Sequence, residues 1–97
     1  MNAPFIPPSL LRFHFDAIER KFPLRIVGLL PRGFANHVFA DDALDLLVEK
    51  REGLSYFGLS AAEIDLAERL GRPVGMVLRS ELAGRELAEA EAALQPA

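Results

Sequence analysis

The chain has 97 residues, 51% hydrophobic and 26% charged, with a net charge of −3 and a pI near 5.3. This is a globular composition, long enough for one domain that buries about 60–68% of its unfolded surface. The absence of Cys excludes disulfides, thiolate metal sites and cysteine nucleophiles, and the acidic balance argues against a general nucleic-acid surface.

No apolar run approaches the ~20 residues of a membrane span. Residues 1–10 hold three prolines and no basic start, so no secretory signal is read and a cytoplasmic location is expected. A single domain over residues 1–97 is expected, with residues 1–8 and the last few residues loose. The first 52 residues carry seven Lys/Arg and seven Asp/Glu, and the remainder four and seven, so the net charge lies in the second half.

Leu11, Phe15, Ile18 and Phe22 recur at spacings of 4, 3 and 4, which predicts a helix over 10–21 with Ser9 as N-cap and Pro23 as its stop. Residues 24–30, apolar and β-favouring between two prolines, predict a buried strand. A connection with a short helix is expected over 34–42, then a second strand over 44–49. Ser60 and Glu63 match a capping box, and Gly71 suits the C′ position. They predict a helix over 61–70, with an earlier start near Tyr56 left open. Residues 73–78 predict a third strand, with Pro73 at its first position or on an edge. Residues 81–94 predict a last helix, with Leu82, Leu87, Ala90 and Leu94 inward and Gly84 weakening it by about 1 kcal/mol. The expected core is Leu11, Phe15, Ile18, Ile26, Val27, Leu44, Leu46, Val48, Ile64, Leu70, Val74, Val77 and Leu87. The order of elements predicts an α/β (α+β) fold with a small mixed sheet covered by helices.

Three phrases then stand in order: Gly28-Leu-Leu-Pro-Arg32-Gly33, Asp42-Ala-Leu-Asp45-Leu-Leu-Val-Glu49, and Leu70-Gly-Arg-Pro-Val-Gly75-Met-Val. They resemble the minimal nucleotidyltransferases of the DNA polymerase β-like superfamily. Members of that family read Gly-Ser-x-Ala-Arg-Gly, Ser-Asp-x-Asp-Leu-Leu-Val and Leu-Gly-Arg-Pro-Val-Asp-Leu-Val. The resemblance implies a nucleotidyltransferase-like fold. It also implies transfer of a nucleoside monophosphate from a triphosphate, with two Mg²⁺ held by three carboxylates. The Asp-x-Asp pair works because alternate strand residues share a face. The Gly-Ser turn works because bare backbone approaches phosphate closely.

Carried over position by position, Gly28, Arg32 and Gly33 match as a remnant nucleotide-binding turn. Leu29 replaces the serine, and the segment up to the second strand is about three residues longer than the family's spacing. Asp45 matches the second Asp. Ala43 and Gly75 stand where the first and third carboxylates belong. One carboxylate cannot hold two divalent ions, so the resemblance points to a pseudoenzyme, with no intact catalytic residue and no cofactor.

The family also implies a partner role, as an antitoxin-like partner of a small helical HEPN-type ribonuclease in a toxin–antitoxin pair; self-association is a second form of that idea. The alternative is a residual nucleotidyltransferase using Mg²⁺ at a rearranged Asp41, Asp42 and Asp45 site, which a strand bulge would have to bring to one face. A third reading is a nucleotide sensor built on Gly28, Arg32 and Gly33. Leu29, Phe34 and Phe39 are expected to fill the former cleft. His37 reads as a surface-loop histidine and His14 as a boundary residue. Ser9, Ser55, Ser60 and Ser80 sit at expected turns or caps, away from any base.

Overall fold

In a computed structural model, which describes residues 7–31 and 43–96, the elements run α1 (Pro8–Lys21), β1 (Leu24–Leu29), β2 (Leu44–Lys50), α2 (Tyr56–Leu70), β3 (Val74–Leu78), a 3₁₀ turn (Arg79–Glu81), α3 (Gly84–Ala93) and β4 (Gln95–Pro96). The sheet is mixed, in the order β3-β2-β1-β4. β1 runs antiparallel to both β2 and β4, and β2 runs parallel to β3. The expected α+β architecture is therefore present, with one strand more than the sequence suggested. That strand is formed by residues expected to be loose. The expected short helix over 34–42, and residues 1–6 of the expected loose segment, lie outside the described residues.

α1 and the last helix begin away from their sequence signals, and α2 takes the earlier start near Tyr56 that the sequence left open. α1 starts at Pro8, not at 10, with Pro7 as N-cap. The Pro7 carbonyl accepts from the amides of Leu10 and Leu11 at 3.0 Å each, so Ser9 lies inside the first turn and caps nothing. Proline suits the first helical position because its φ is preset and its missing N–H is not needed there. α2 starts at Tyr56, and its N-cap is Ser55, whose Oγ accepts from the Gly58 amide at 3.0 Å. The Ser60–Glu63 capping box does not form, because Glu63 is engaged elsewhere: its carboxylate accepts from the Met76 amide of β3 at 2.7 Å. Replacing Ser55 by Ala is expected to cost about 1 kcal/mol, and Ser60→Ala less than about 0.5 kcal/mol, read as midpoint shifts in urea denaturation. Gly71 ends α2 in the left-handed conformation, as its position predicted.

The last helix is shorter than expected. Residues 79–81 form a 3₁₀ turn, and Leu82 and Ala83 are extended. Gly84 opens α3 at φ +55°, so it serves the turn into the helix and is not an interior weakness.

Two apolar clusters lie on opposite faces of the sheet. Phe15, Ile18, Leu24, Ile26, Leu46, Val48, Leu59, Ala62, Leu66, Val74, Met76 and Leu78 form the larger one, under α1 and α2. Leu30, Leu47 and Ala90 form the smaller one, under α3, with Val27, Val77, Leu82 and Leu94 packed against it. Ile64 is the error in the expected core, at 60% exposure. The longer α2 buries the stripe Leu59, Ala62 and Leu66, and Ile64 points the other way, about 200° around the helix from both Ala62 and Leu66. Leu11, Val27, Leu44, Leu70, Val77 and Leu87 are half-buried rather than buried.

A bulge in β1 sets which face each residue takes. Ile26 pairs with Val48 and Gly28 with Leu47, leaving Val27 as the extra residue. Ile26 and Leu29 therefore join the larger cluster, while Val27 and Leu30 join the smaller.

A helix carboxylate takes one strand amide on each side of the sheet. On the β3 side Glu63 takes the Met76 amide. On the β1 side Glu19 of α1 takes the Ile26 amide at 2.8 Å, and β4 pairs with Gly28 and Leu29. Arg12 holds Glu19 at 3.0 Å and Asp16 at 2.8 Å. Burial opposes the Arg12 charge, but hydrogen bonds to Glu19 and Asp16 outweigh it and raise the pKa.

Asp65 ties α2 to α1, with Lys21 at 2.6 Å and Arg69 at 2.7 Å. Hydrogen bonds from Lys21 and then Arg69 hold its pKa below the ordinary value. A lowered folded pKa stabilises above the unfolded value and loses that stabilisation as pH falls through the folded one. Asp65→Asn is expected to cost less than about 1 kcal/mol at pH 7. In urea titrations the difference from the parent chain should shrink as pH falls below the ordinary carboxylate value of about 3.9 and vanish once the folded state also binds the proton.

Candidate functional site

Strand alternation divides β2 into two sets. Leu44, Leu46 and Val48 face α1 and α2, while Ala43, Asp45 and Leu47 face the other side. Asp45 is 2% exposed and is the one buried charged side chain among the described residues. Its Cα partner across the parallel pairing is Gly75 of β3. Ala43, two residues earlier and 6% exposed, shares its face. The three positions that the motifs single out therefore meet on one surface, as Asp-x-Asp alternation and the neighbouring strand require. Ala43 and Gly75 bring a methyl group and a hydrogen to it. The backbone there is fixed on both sides: the Leu30 amide donates to the Asp45 carbonyl at 2.9 Å, and the Leu44 amide to the Pro73 carbonyl at 2.9 Å.

Gly28 lies in β1, and its open side is taken. A Cβ at this position would overlap the Gln95 backbone carbonyl oxygen and stand 3.0 Å from Leu94 Cδ1. The close approach that glycine permits here is that of the chain's own C-terminal strand. The sequence held no signal of this, because two residues of β4 have no periodicity to read. Leu29 is half-buried against the larger cluster, on the α1–α2 face, and does not fill the cleft beside Asp45. Arg32, Gly33, Phe34, His37, Phe39, Asp41 and Asp42 lie outside the described residues. Among the described residues no three His, Asp or Glu side chains gather in a metal-binding group. His14 is half-buried on α1, its ring edge-on to Phe13 with centroids 5.3 Å apart, a boundary position as expected.

Two clefts open beyond the carboxyl ends of β2 and β3 and share Lys50 and Ser80. One, of about 150 Å³, lies against Leu54, Tyr56 and Leu78. The other, of about 540 Å³, lies between Glu49, Arg79, Leu82 and Leu87. No described helix is long and apolar enough to cross a membrane. Several large apolar side chains stand in solvent: Phe57 at 89%, Tyr56 at 74% and Ile64 at 60% on α2, with Phe13 and Leu10 on α1.

A solved structure assigned as a minimal nucleotidyltransferase superposes on the chain with a TM-score of 0.71 and 21% identity, covering 98% of this chain and 100% of that one. No protein-family model and no curated protein sequence matches. The likeness shows the fold: this chain has the architecture of a minimal nucleotidyltransferase.

Proposed function

We propose that this chain is a nucleotidyltransferase-fold protein without nucleotidyl transfer, working in the cytoplasm through protein contacts as the antitoxin-like partner of a small helical HEPN-type protein. The observation that carries this reading is the surface around Asp45. Three adjacent positions that would hold carboxylates hold one, flanked by Ala43 and Gly75. Two Mg²⁺ ions about 4 Å apart need several oxygen donors each, and a methyl group and a hydrogen offer none. Gly28 supports the same reading, since Gln95 occupies the space beside its backbone. The exposed Phe57, Tyr56 and Ile64 on α2 support a contact role, because large apolar side chains left in solvent on one helix mark interaction surfaces.

The test is incubation with labelled nucleoside triphosphates, Mg²⁺ or Mn²⁺, and candidate acceptors. No labelled product is expected. Product that disappears in Asp45→Ala would establish the residual enzyme with Asp41, Asp42 and Asp45 instead. Metal-independent micromolar ATP binding in calorimetry, lost on Arg32→Ala, would establish the sensor. Co-purification of a small helical partner, weakened at least tenfold by Phe57→Ser with Ile64→Ser, is the positive result for the contact role.

A further inference from the structure

The last thirteen described residues form an arm distinct in its attachment from the rest of the fold. Within residues 84–96 only Ala90 is buried, with Leu87 and Leu94 half-buried. The arm lies over Leu30 and Leu47 and ends in the two-residue pairing of β4 with Gly28 and Leu29. Its ion pair to the body is Arg79 with Glu91 at 3.1 Å, and both side chains are more than 40% exposed, a weak tie in water. A cleft of about 540 Å³ separates Leu87 from Glu49 and Lys50 at the ends of the strands.

The chain entering the arm is built to change direction. Leu82 and Ala83 are extended, with ψ of 144° and 156°. Gly84 sits at φ +55°, and no atom lies within 4 Å of where its Cβ would stand. With no Cβ, Gly84 is free to change its backbone angles, and the six residues from Arg79 onward would span about 20 Å once the 3₁₀ turn also opens.

We propose that the arm of residues 84–96 is exchanged between two copies of the chain, so that each sheet is completed by the other copy's β4 and each Leu47 is covered by the other copy's Ala90. The occupant is argued from what already sits there. The Leu30–Leu47 surface accepts a helix presenting Ala90 with Leu94 beyond it, and the edge at Gly28 accepts an extended backbone closer than any Cβ would permit. A second copy supplies both with the same sequence. Exchange reproduces the closed contacts of residues 84–96 in trans and changes the chain between Arg79 and Gly84. The proposal holds whether or not the chain transfers nucleotides.

Leu29 and Gln95 are Cα partners across the β1–β4 pairing, and the natural chain has no Cys, so Leu29→Cys with Gln95→Cys reports the connectivity. The protein is refolded at low and at high concentration, separated by size exclusion, oxidised and run on a non-reducing gel. The dimer fraction is expected to become a covalent dimer, and the monomer fraction to bridge internally. A dimer fraction that separates into internally bridged monomers, or no dimer at millimolar concentration, would overturn the exchange. Deleting Ala83 in the otherwise natural chain shortens the hinge and hinders the arm from folding back. It should raise the dimer fraction at least tenfold. A folded, monomeric deletion variant would count equally against the proposal.

Discussion

Ala43→Asp combined with Gly75→Asp should remove most of the protein's stability at pH 7 in chelator, and millimolar Mn²⁺ or Mg²⁺ should restore part of that loss. Both positions are buried beside Asp45. Neighbouring strands stand about 4.8 Å apart, so three carboxylates would share one small surface. Desolvation and mutual repulsion raise such pKa values by up to 3–5 units each, and about 1.4 kcal/mol per unit makes the summed cost comparable to a small domain's whole stability of about 5–15 kcal/mol. A divalent ion present at a hundred times its Kd returns about 2.7 kcal/mol. Thermal melts followed by circular dichroism, with chelator and with metal, measure both effects. The natural chain should melt at the same temperature in both buffers. A rise in its Tm with Mn²⁺, abolished by Asp45→Asn, would mean that a metal site survives.

Gly28→Val should destabilise the fold by about 3 kcal/mol, near the upper end for forcing extra atoms into a packed site. The obstruction is backbone, the Gln95 carbonyl, so rotation of a side chain cannot relieve it. The relief available is detachment of β4, which also loosens Leu94 and Ala90 from Leu47. Urea denaturation gives the magnitude. Hydrogen exchange gives the location, with faster exchange in α3 and β4 and little change in α2. Gly58→Ala is the contrasting case, because its neighbours are the ends of side chains, Leu54 Cδ1 at 3.3 Å and Ser55 Oγ at 3.4 Å. It should stay within about 1 kcal/mol of the natural chain.

The parts of the fold legible in the sequence are those with strong local markers. Pro23 and the apolar residues that follow located β1, and Gly71 located the end of α2. The resemblance of the motif phrases implied that Asp45 and Gly75 share one site before any register was known, because the family's three carboxylates do. The start of α2 was ambiguous for a physical reason. Two serines five residues apart both offer a cap, and the one with the better local pattern lost its glutamate to a strand amide 13 residues downstream. Ile64 was misassigned with it, since a helix begun at 61 does not show the stripe from Leu59. β4 was invisible because tertiary contact with a bare glycine, and not propensity, makes it a strand. The chemistry of the site was legible only where alternation and register fix it: Ala43, Asp45 and Gly75.

The carboxylates of Glu19 and Glu63 have a consequence for how this molecule can meet another. A sheet with open amides along its border recruits whatever extended chain drifts past, and neighbours then grow ribbon-like from one another. Here the Met76 amide on one side and the Ile26 amide on the other are taken by Glu63 and Glu19, and Gly28 and Leu29 pair with the chain's own tail. A passing strand that offers only backbone must first displace one of these, whereas the arm of a second copy brings Ala90 and Leu94 along with its backbone.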